Sequence, residues 1–156
     1  MKKYRVGFTA GTFDMFHVGH LNLLKSAKEQ CDYLIVGVNK DSLVKTYKKK
    51  APLIEETQRL EIVKNICHVD EVHLMDTLDK SSAWNNFGFD VVFIGSDYKN
   101  SSRYKKEEAN MNELGVNIVY IPYTVGVSST LLAKRIIKNE ITSEFYQNEI
   151  EQAKRG

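Results

Sequence analysis

His17 and His20 lie three residues apart in the run Gly11-Thr12-Phe13-Asp14-Met15-Phe16-His17-Val18-Gly19-His20, between a β-rich stretch and an amphipathic one. At the start of a helix, that spacing turns two imidazoles to one side, where both donate hydrogen bonds to one phosphate. The unpaired N–H groups and the dipole of the helix N-terminus favour an anion at the same place. Gly19, between the histidines, lets a ligand approach the backbone closely. A histidine pair also invites a metal, but no third ligand of zinc type stands near, so no metal site is read here. The expected chemistry is the handling of phosphate.

Two further segments fit that chemistry. Gly126-Val127-Ser128-Ser129-Thr130 leads into a helix expected from Ser128 or Ser129 to Lys138, and its N-terminus makes a second cradle for phosphate. Lys45-Thr46-Tyr47-Lys48-Lys49-Lys50 places four lysines within six residues, expected on a loop after the second strand. Most of such a run is a solvated face, yet a flexible ammonium on a loop suits closure over a phosphate.

The elements that must position these residues alternate. Tyr4–Ala10, Tyr33–Asn39, Glu71–Met75, Asp90–Gly95 and Val116–Pro122 are rich in Val, Ile, Phe and Tyr and predict strands. Helical spacing marks about Val18–Gln30, Glu55–Ile66, Ser81–Phe87 and Arg103–Leu114, with Gly115 as a C-terminal stop. Alternation of this kind predicts an α/β fold, a Rossmann-like doubly wound parallel sheet of five strands with helices on both faces. The histidine segment then falls at the carboxyl end of the first strand, where open parallel sheets bind ligands. A domain over 1–138 and a C-terminal helical extension over 139–156 are expected, the latter with few apolar positions.

The composition excludes several classes. At 156 residues, 42% hydrophobic and 27% charged, with 2 Pro and 9 Gly, the chain is neither disordered nor repetitive. Its net charge of +2 speaks against a nucleic-acid polymer as partner. No apolar run approaches the roughly 20 residues of a membrane span. Cys31 and Cys67 show no metal-type spacing and read as two buried, reduced thiols, so the expected location is the cytoplasm.

Gly11-Thr12-Phe13-Asp14 with His17-Val18-Gly19-His20 resembles the signature of the cytidylyltransferase family, within the HxGH nucleotidyltransferase superfamily. His68-Val69-Asp70-Glu71-Val72, Gly95-Ser96-Asp97-Tyr98 and Gly126-Val127-Ser128-Ser129-Thr130 resemble three further family motifs, in family order, across residues 4–138. The similarity is greatest to the bacterial enzymes that act on glycerol 3-phosphate. What the resemblance implies is attack by an alcohol phosphate on the α-phosphorus of CTP, with Mg²⁺ accompanying the nucleotide and pyrophosphate leaving. It implies a catalytic role for His17, His20, Lys48 and Arg59, and acceptor binding by Lys48 and Lys80. Thr12, Phe13, Asp14, Gly19, Asp97, Tyr123, Thr124, Gly126, Val127, Ser128, Ser129 and Thr130 would bind the nucleotide. A homodimer and a role in making teichoic acid or capsule polymer follow by the same analogy.

Taken alone, Arg59 also reads as a surface helical arginine four residues after Glu55. Two departures bear on the acceptor: Tyr123 and Cys67 stand where the family often carries arginine. Choline, ethanolamine or sugar-alcohol phosphates stay open as acceptors, as do adenylyl transfer of the FAD-forming kind and a nucleotide-binding regulator without turnover.

Overall fold

The computed structural model describes residues 2–141. Five strands run β1 (Tyr4–Gly11), β2 (Cys31–Asn39), β3 (Glu71–Met75), β4 (Val91–Gly95) and β5 (Asn117–Ile121). All pair in parallel in the order β3-β2-β1-β4-β5. The helices are α1 (Val18–Gln30), α2 (Asp41–Lys48), α3 (Glu56–Lys64), α4 (Lys80–Phe87), α5 (Ser102–Glu113) and α6 (Ser129–Ile141). This is the five-stranded doubly wound sheet that the alternating pattern predicts.

Two apolar layers sandwich the sheet, because successive strand residues point to opposite faces. One layer gathers Leu34, Val36, Val38, Val91 and Phe93 with Leu24 and Ala27 of α1 and Val63 of α3. The other gathers Phe8, Ile35, Val92 and Ile94 with Ala83 of α4 and Met111 of α5. Stacked rings of Phe8 and Phe89, 4.7 Å between centroids, seal the second layer. Gly7 is required where β1 crosses β4, since a Cβ there would lie 2.5 Å from the Phe93 ring.

The strand order reverses between β1 and β4. The β1–β2 ladder continues to Gly11↔Val38, while the β1–β4 ladder stops at Phe8↔Val92. Beyond it, the Thr9 hydroxyl donates to the Phe93 carbonyl at 2.9 Å. The carboxyl ends of β1 and β4 therefore border a crevice of the kind that binds ligands in doubly wound sheets.

Three local features differ from the sequence expectation. The lysine run is not a loop: Lys45 and Lys48 lie on α2, and Lys49 ends it in the left-handed region with φ 55°. Buried Val44 anchors that helix, a single apolar contact too weak to stand out beside four charges. Strand β2 begins two residues earlier than expected, at Cys31, which is itself buried. The backbone of α6 continues past 138 to Ile141, and the expected C-terminal extension from 142 onward lies outside the described residues. The Gly115 stop holds, at φ 74° after α5, and Asp79, which the sequence reading did not single out, starts α4 by accepting from the Ser81 and Ser82 amides.

One family-like segment turns out to lie away from the crevice. Asp70 stands at the amino end of β3, where its carboxylate accepts from the Leu34 amide at 2.6 Å and from Lys28 at 2.5 Å. Its work there is to join β2, β3 and α1.

Candidate active site

The loop that leaves β1 is held in an unfavourable conformation. Phe13 and Met15 both have positive φ, 54° and 47°, which for side chains of this size costs about 1–3 kcal/mol each. Surrounding contacts over-determine the loop. The Asp14 carboxylate accepts from the amides of Leu53 and Ile54 at 2.8 and 2.9 Å, and its carbonyl accepts from the Ser129 hydroxyl at 2.5 Å. The Phe13 ring is buried in the core and meets the His20 ring edge-on at 5.4 Å. Phe13 thus supports His20 from within and does not line open space with its ring.

The histidines open α1. His17 is its N-cap, and its Nδ1 accepts from the Gly19 amide at 3.0 Å, while the His17 amide donates to Nδ1 of His20 at 3.4 Å. The rings stack with centroids 3.8 Å apart. With each Nδ1 used as an acceptor, the proton of each neutral imidazole sits on Nε2, and both Nε2–H groups face away from the backbone. Burial pushes the His17 pKa down. It pushes His20 down to about 4, with help from the neighbouring His17 and the Lys48 ammonium. Near neutral pH the pair is therefore two aligned neutral donors. Gly19 makes the stack possible: a Cβ at this position would lie 2.8 Å from His17 Cε1.

Other expected residues gather around this pair. Lys48 reaches Thr12 Oγ1 at 3.4 Å, and the Tyr47 hydroxyl sits 3.1 Å from the same atom. The turn before α6 approaches from β5: Asn22 of α1 donates to Thr124 Oγ1 at 3.1 Å, and Val127 lies against Gly19. Gly126, at φ 87°, makes that turn. Ser128 caps α6 by accepting from the Leu131 amide at 3.1 Å, so its hydroxyl is already engaged, while Thr130 is exposed. The Tyr123 amide donates to Ser96 Oγ at 3.0 Å, and its hydroxyl donates to the Val127 carbonyl. Tyr123 thereby shapes the turn where the family often has a cation. Asp97 is exposed after β4, and Gly95 leaves room for its carboxylate.

Two expected ligands are placed differently. Arg59 has no exposed surface, so it is not the surface arginine that its spacing from Glu55 allows. Its guanidinium donates to the carbonyls of Thr12, Asn39 and Ile54, at 2.5, 2.8 and 2.8 Å, and pairs with Asp41 at 2.6 Å. These contacts make it a positioning residue for the loops around the crevice. Lys80 is buried between α4 and α5, 3.8 Å from Glu107 and 5.7 Å from the Tyr104 ring centre. Burial lowers its pKa against the opposing pull of Glu107. Cys31 is buried as expected, but Cys67 is not: it is exposed in the turn before β3, outside both core layers.

Sequence reading passed over Asn39, Asp41, Tyr47 and Glu56. Asp41 and Glu56 cap each other's helices: the Asp41 amide donates to Glu56 at 2.6 Å, and the Glu56 amide to Asp41 at 3.3 Å. An acidic residue in the first turn of each helix is the one sequence signal for that exchange.

A family model described as cytidylyltransferase-like matches residues 8–135. The chain belongs to that family. It is a nucleotidyltransferase, as its named relatives are. A FAD synthase from Korarchaeum cryptofilum is 37% identical over 138 residues, covering 86% of this chain and 93% of that protein. The Bifunctional protein HldE of Hyphomonas neptunium is 34% identical, over 84% of this chain and 27% of its own length. A probable ethanolamine-phosphate cytidylyltransferase of Encephalitozoon cuniculi is 36% identical over 103 residues, 66% of this chain and 32% of that one. Among solved structures, a lipopolysaccharide core biosynthesis protein from Thermoplasma volcanium superposes with TM-score 0.66 at 26% identity, covering 78% of this chain and 97% of the other. Among the described residues, no helix is long and apolar enough to cross a membrane.

Gly19→Ala separates stability from function in this nucleotidyltransferase. Alanine favours a helix by about 1 kcal/mol over glycine, and disturbing the His17 cap costs about as much, so thermal unfolding is expected to move little. Turnover is expected to fall by about 100-fold because the His17 ring is displaced; steady-state kinetics and a melting curve on the same sample check both. A second test uses pH. Above the ordinary histidine value of 6.5 the His20 ring is neutral folded or unfolded. Between 6.5 and about 4 only the unfolded chain binds its proton, so stability drops as pH falls through that window. Across that window the melting temperature of wild type should fall more steeply than that of His20→Gln; equal slopes would show that this ring does not carry the effect.

Proposed function

We propose that this chain transfers CMP from CTP to the phosphate of a small alcohol phosphate, glycerol 3-phosphate being the leading acceptor, with release of pyrophosphate. The observation that carries this reading is the stacked pair of neutral imidazoles, both presenting Nε2–H at the N-terminus of α1 beside the β1–β4 crevice. An acceptor phosphate oxygen attacks the α-phosphorus, and the bond from the α-phosphorus to the bridging oxygen of pyrophosphate breaks. No covalent enzyme intermediate is needed, so the protein's contribution is alignment and stabilisation of charge. His17 and His20 donate to phosphoryl oxygens, the α1 N-terminus adds its dipole, and Lys48 covers the triphosphate from α2. Neutral donors suit this task, since their hydrogen bonds strengthen as oxygen charge grows in the transition state.

Among the described residues no group of three His, Cys, Asp or Glu side chains is gathered to hold a metal, and both Asp14 oxygens are committed to loop amides. In this reading Mg²⁺ would accompany the triphosphate and neutralise part of its charge. The reading includes a cytoplasmic homodimer with the exposed Val18 at the start of α1 near the contact.

Adenylyl transfer from ATP to a ring-bearing phosphate is the second reading. It is favoured by the FAD synthase relative, which this chain covers almost end to end, and by exposed Tyr98 and Tyr123 beside the crevice.

Pyrophosphate release measured with CTP, ATP, UTP and GTP against glycerol 3-phosphate, ethanolamine phosphate, choline phosphate and FMN separates these readings. CTP with glycerol 3-phosphate is expected to be fastest; release with ATP and FMN alone would establish the second. Excess EDTA is expected to abolish release. In the active pair, His17→Asn keeps a capping acceptor, so folding should survive, while kcat is expected to fall about 100- to 1000-fold from the loss of one preorganised donor. A kcat unchanged in this variant removes His17 from the mechanism.

A further inference from the structure

Asn39 ends β2 at the carboxyl edge of the sheet and is 4% exposed. Its Oδ1 is the one buried side-chain oxygen or nitrogen without a hydrogen-bond partner among the described residues. Leaving such a group unpaired is costly, so a folded protein keeps one where it has a use. Its main chain is fixed, because Arg59 donates to the Asn39 carbonyl at 2.8 Å. Its Nδ2 donates to the Tyr47 hydroxyl at 3.1 Å, which in turn meets Thr12 Oγ1, the atom that Lys48 also reaches.

The pleat says which side of the sheet this amide serves. Asn39 shares the face of Ile35, the face that carries Phe8, Met75 and the α4–α5 layer. At the carboxyl end of that face stand Tyr47 on α2, Lys80 at the start of α4, Tyr98 after β4 and Tyr104 on α5. The Tyr98 and Tyr104 rings lie 5.2 Å apart. Tyr98 senses Tyr47 as well: burial first, then Asp97 and Tyr47, push its hydroxyl pKa upward. A buried polar amide thus lies on the face where these aromatic rings gather, three hydrogen bonds from the Lys48 ammonium through Tyr47 and Thr12.

We infer that Asn39 is a specificity residue, whose buried side-chain amide reads a hydroxyl or primary amine on the non-phosphate part of the acceptor once Tyr47 swings aside. This rests on the nucleotidyl-transfer reading and sharpens its substrate class: an acceptor with a hydrogen-bond donor close to its phosphate, as a polyol phosphate has, and not a donor-free one. A site built to pair a buried polar group rejects an analogue that lacks the matching group far more strongly than a missing methylene is rejected.

The test compares glycerol 3-phosphate with n-propyl phosphate, which keeps the length and phosphate but lacks both hydroxyls. The full chain is used, with the nucleoside triphosphate that the wild type turns over. Wild type is expected to favour glycerol 3-phosphate by about 100-fold in kcat/KM, and Asn39→Leu to compress that ratio to below about tenfold. The nucleotide KM should move by less than about threefold. Asn39→Ala serves if the leucine variant does not fold, and Asn39→Asp, which keeps an acceptor oxygen, should restore discrimination. Tyr47→Phe controls for an indirect role: if it compresses the ratio as Asn39→Leu does, Asn39 acts only by holding Tyr47, and the inference fails. An unchanged ratio in folded Asn39→Leu, or a wild type that does not discriminate, also overturns it. A wild type that releases pyrophosphate with no nucleotide and acceptor pair overturns nucleotidyl transfer itself.

Discussion

A guanidinium without solvent contact sits at the centre of this molecule's functional edge. Burying a charge is costly unless it is paired and its donors are used, and removing one partner from such a pair costs about 3–5 kcal/mol. Arg59 meets that condition by tying together the loop after β1, the end of β2, the start of α2 and the approach to α3. Each of those segments carries something the crevice uses: Thr12, Asn39, the lysine helix, or the loop that Asp14 grips. The strained backbone at Phe13 and Met15 persists because these contacts leave it no cheaper alternative. The four segments therefore move together or not at all.

The electrostatics of the site follow from that rigidity. The chain carries only a small net positive charge, and Tyr123 stands in the turn before α6 where its family often has arginine, while Cys67, at the amino end of β3, lies away from the crevice. The crevice compensates with directed neutral groups more than with cations. Burial keeps both imidazoles neutral, His17 adds to the effect at His20, and backbone amides set their tautomers. A preorganised dipole needs no reorganisation when charge develops, which is where catalytic electrostatics has its greatest effect. Lys48 supplies a positive charge from the end of α2 on the rim, whereas Lys80 is held within the fold by Glu107.

The two faces of the sheet divide the labour. The loop after β1, α1 and the turn before α6 assemble on one side of the switch point, joined by the Asn22–Thr124 and Ser129–Asp14 hydrogen bonds. Asn39, Tyr47, Tyr98 and Tyr104 cluster towards the other face, where α4 and α5 pack. A triphosphate held at the first and an acceptor held at the second would meet at the carboxyl ends of β1 and β4.

The sequence by itself determined the strand and helix alternation, the histidine pair at the head of α1, and the second helix start at Ser128–Thr130. Hydrophobic period, cap residues and glycine positions are local properties, and a linear chain displays them directly. The family resemblance was legible for the same reason, since its motifs are short runs. Tertiary structure alone decided the roles of residues whose partners are distant in the chain. Arg59 reads from the sequence as a surface arginine or, by resemblance, a catalytic one, and its actual partners include a carbonyl 47 residues away. The four lysines concealed α2 because a single buried valine, not a periodic face, holds that helix. Asn39 gave no signal in the sequence, because an unpaired oxygen exists only once the fold has removed its water.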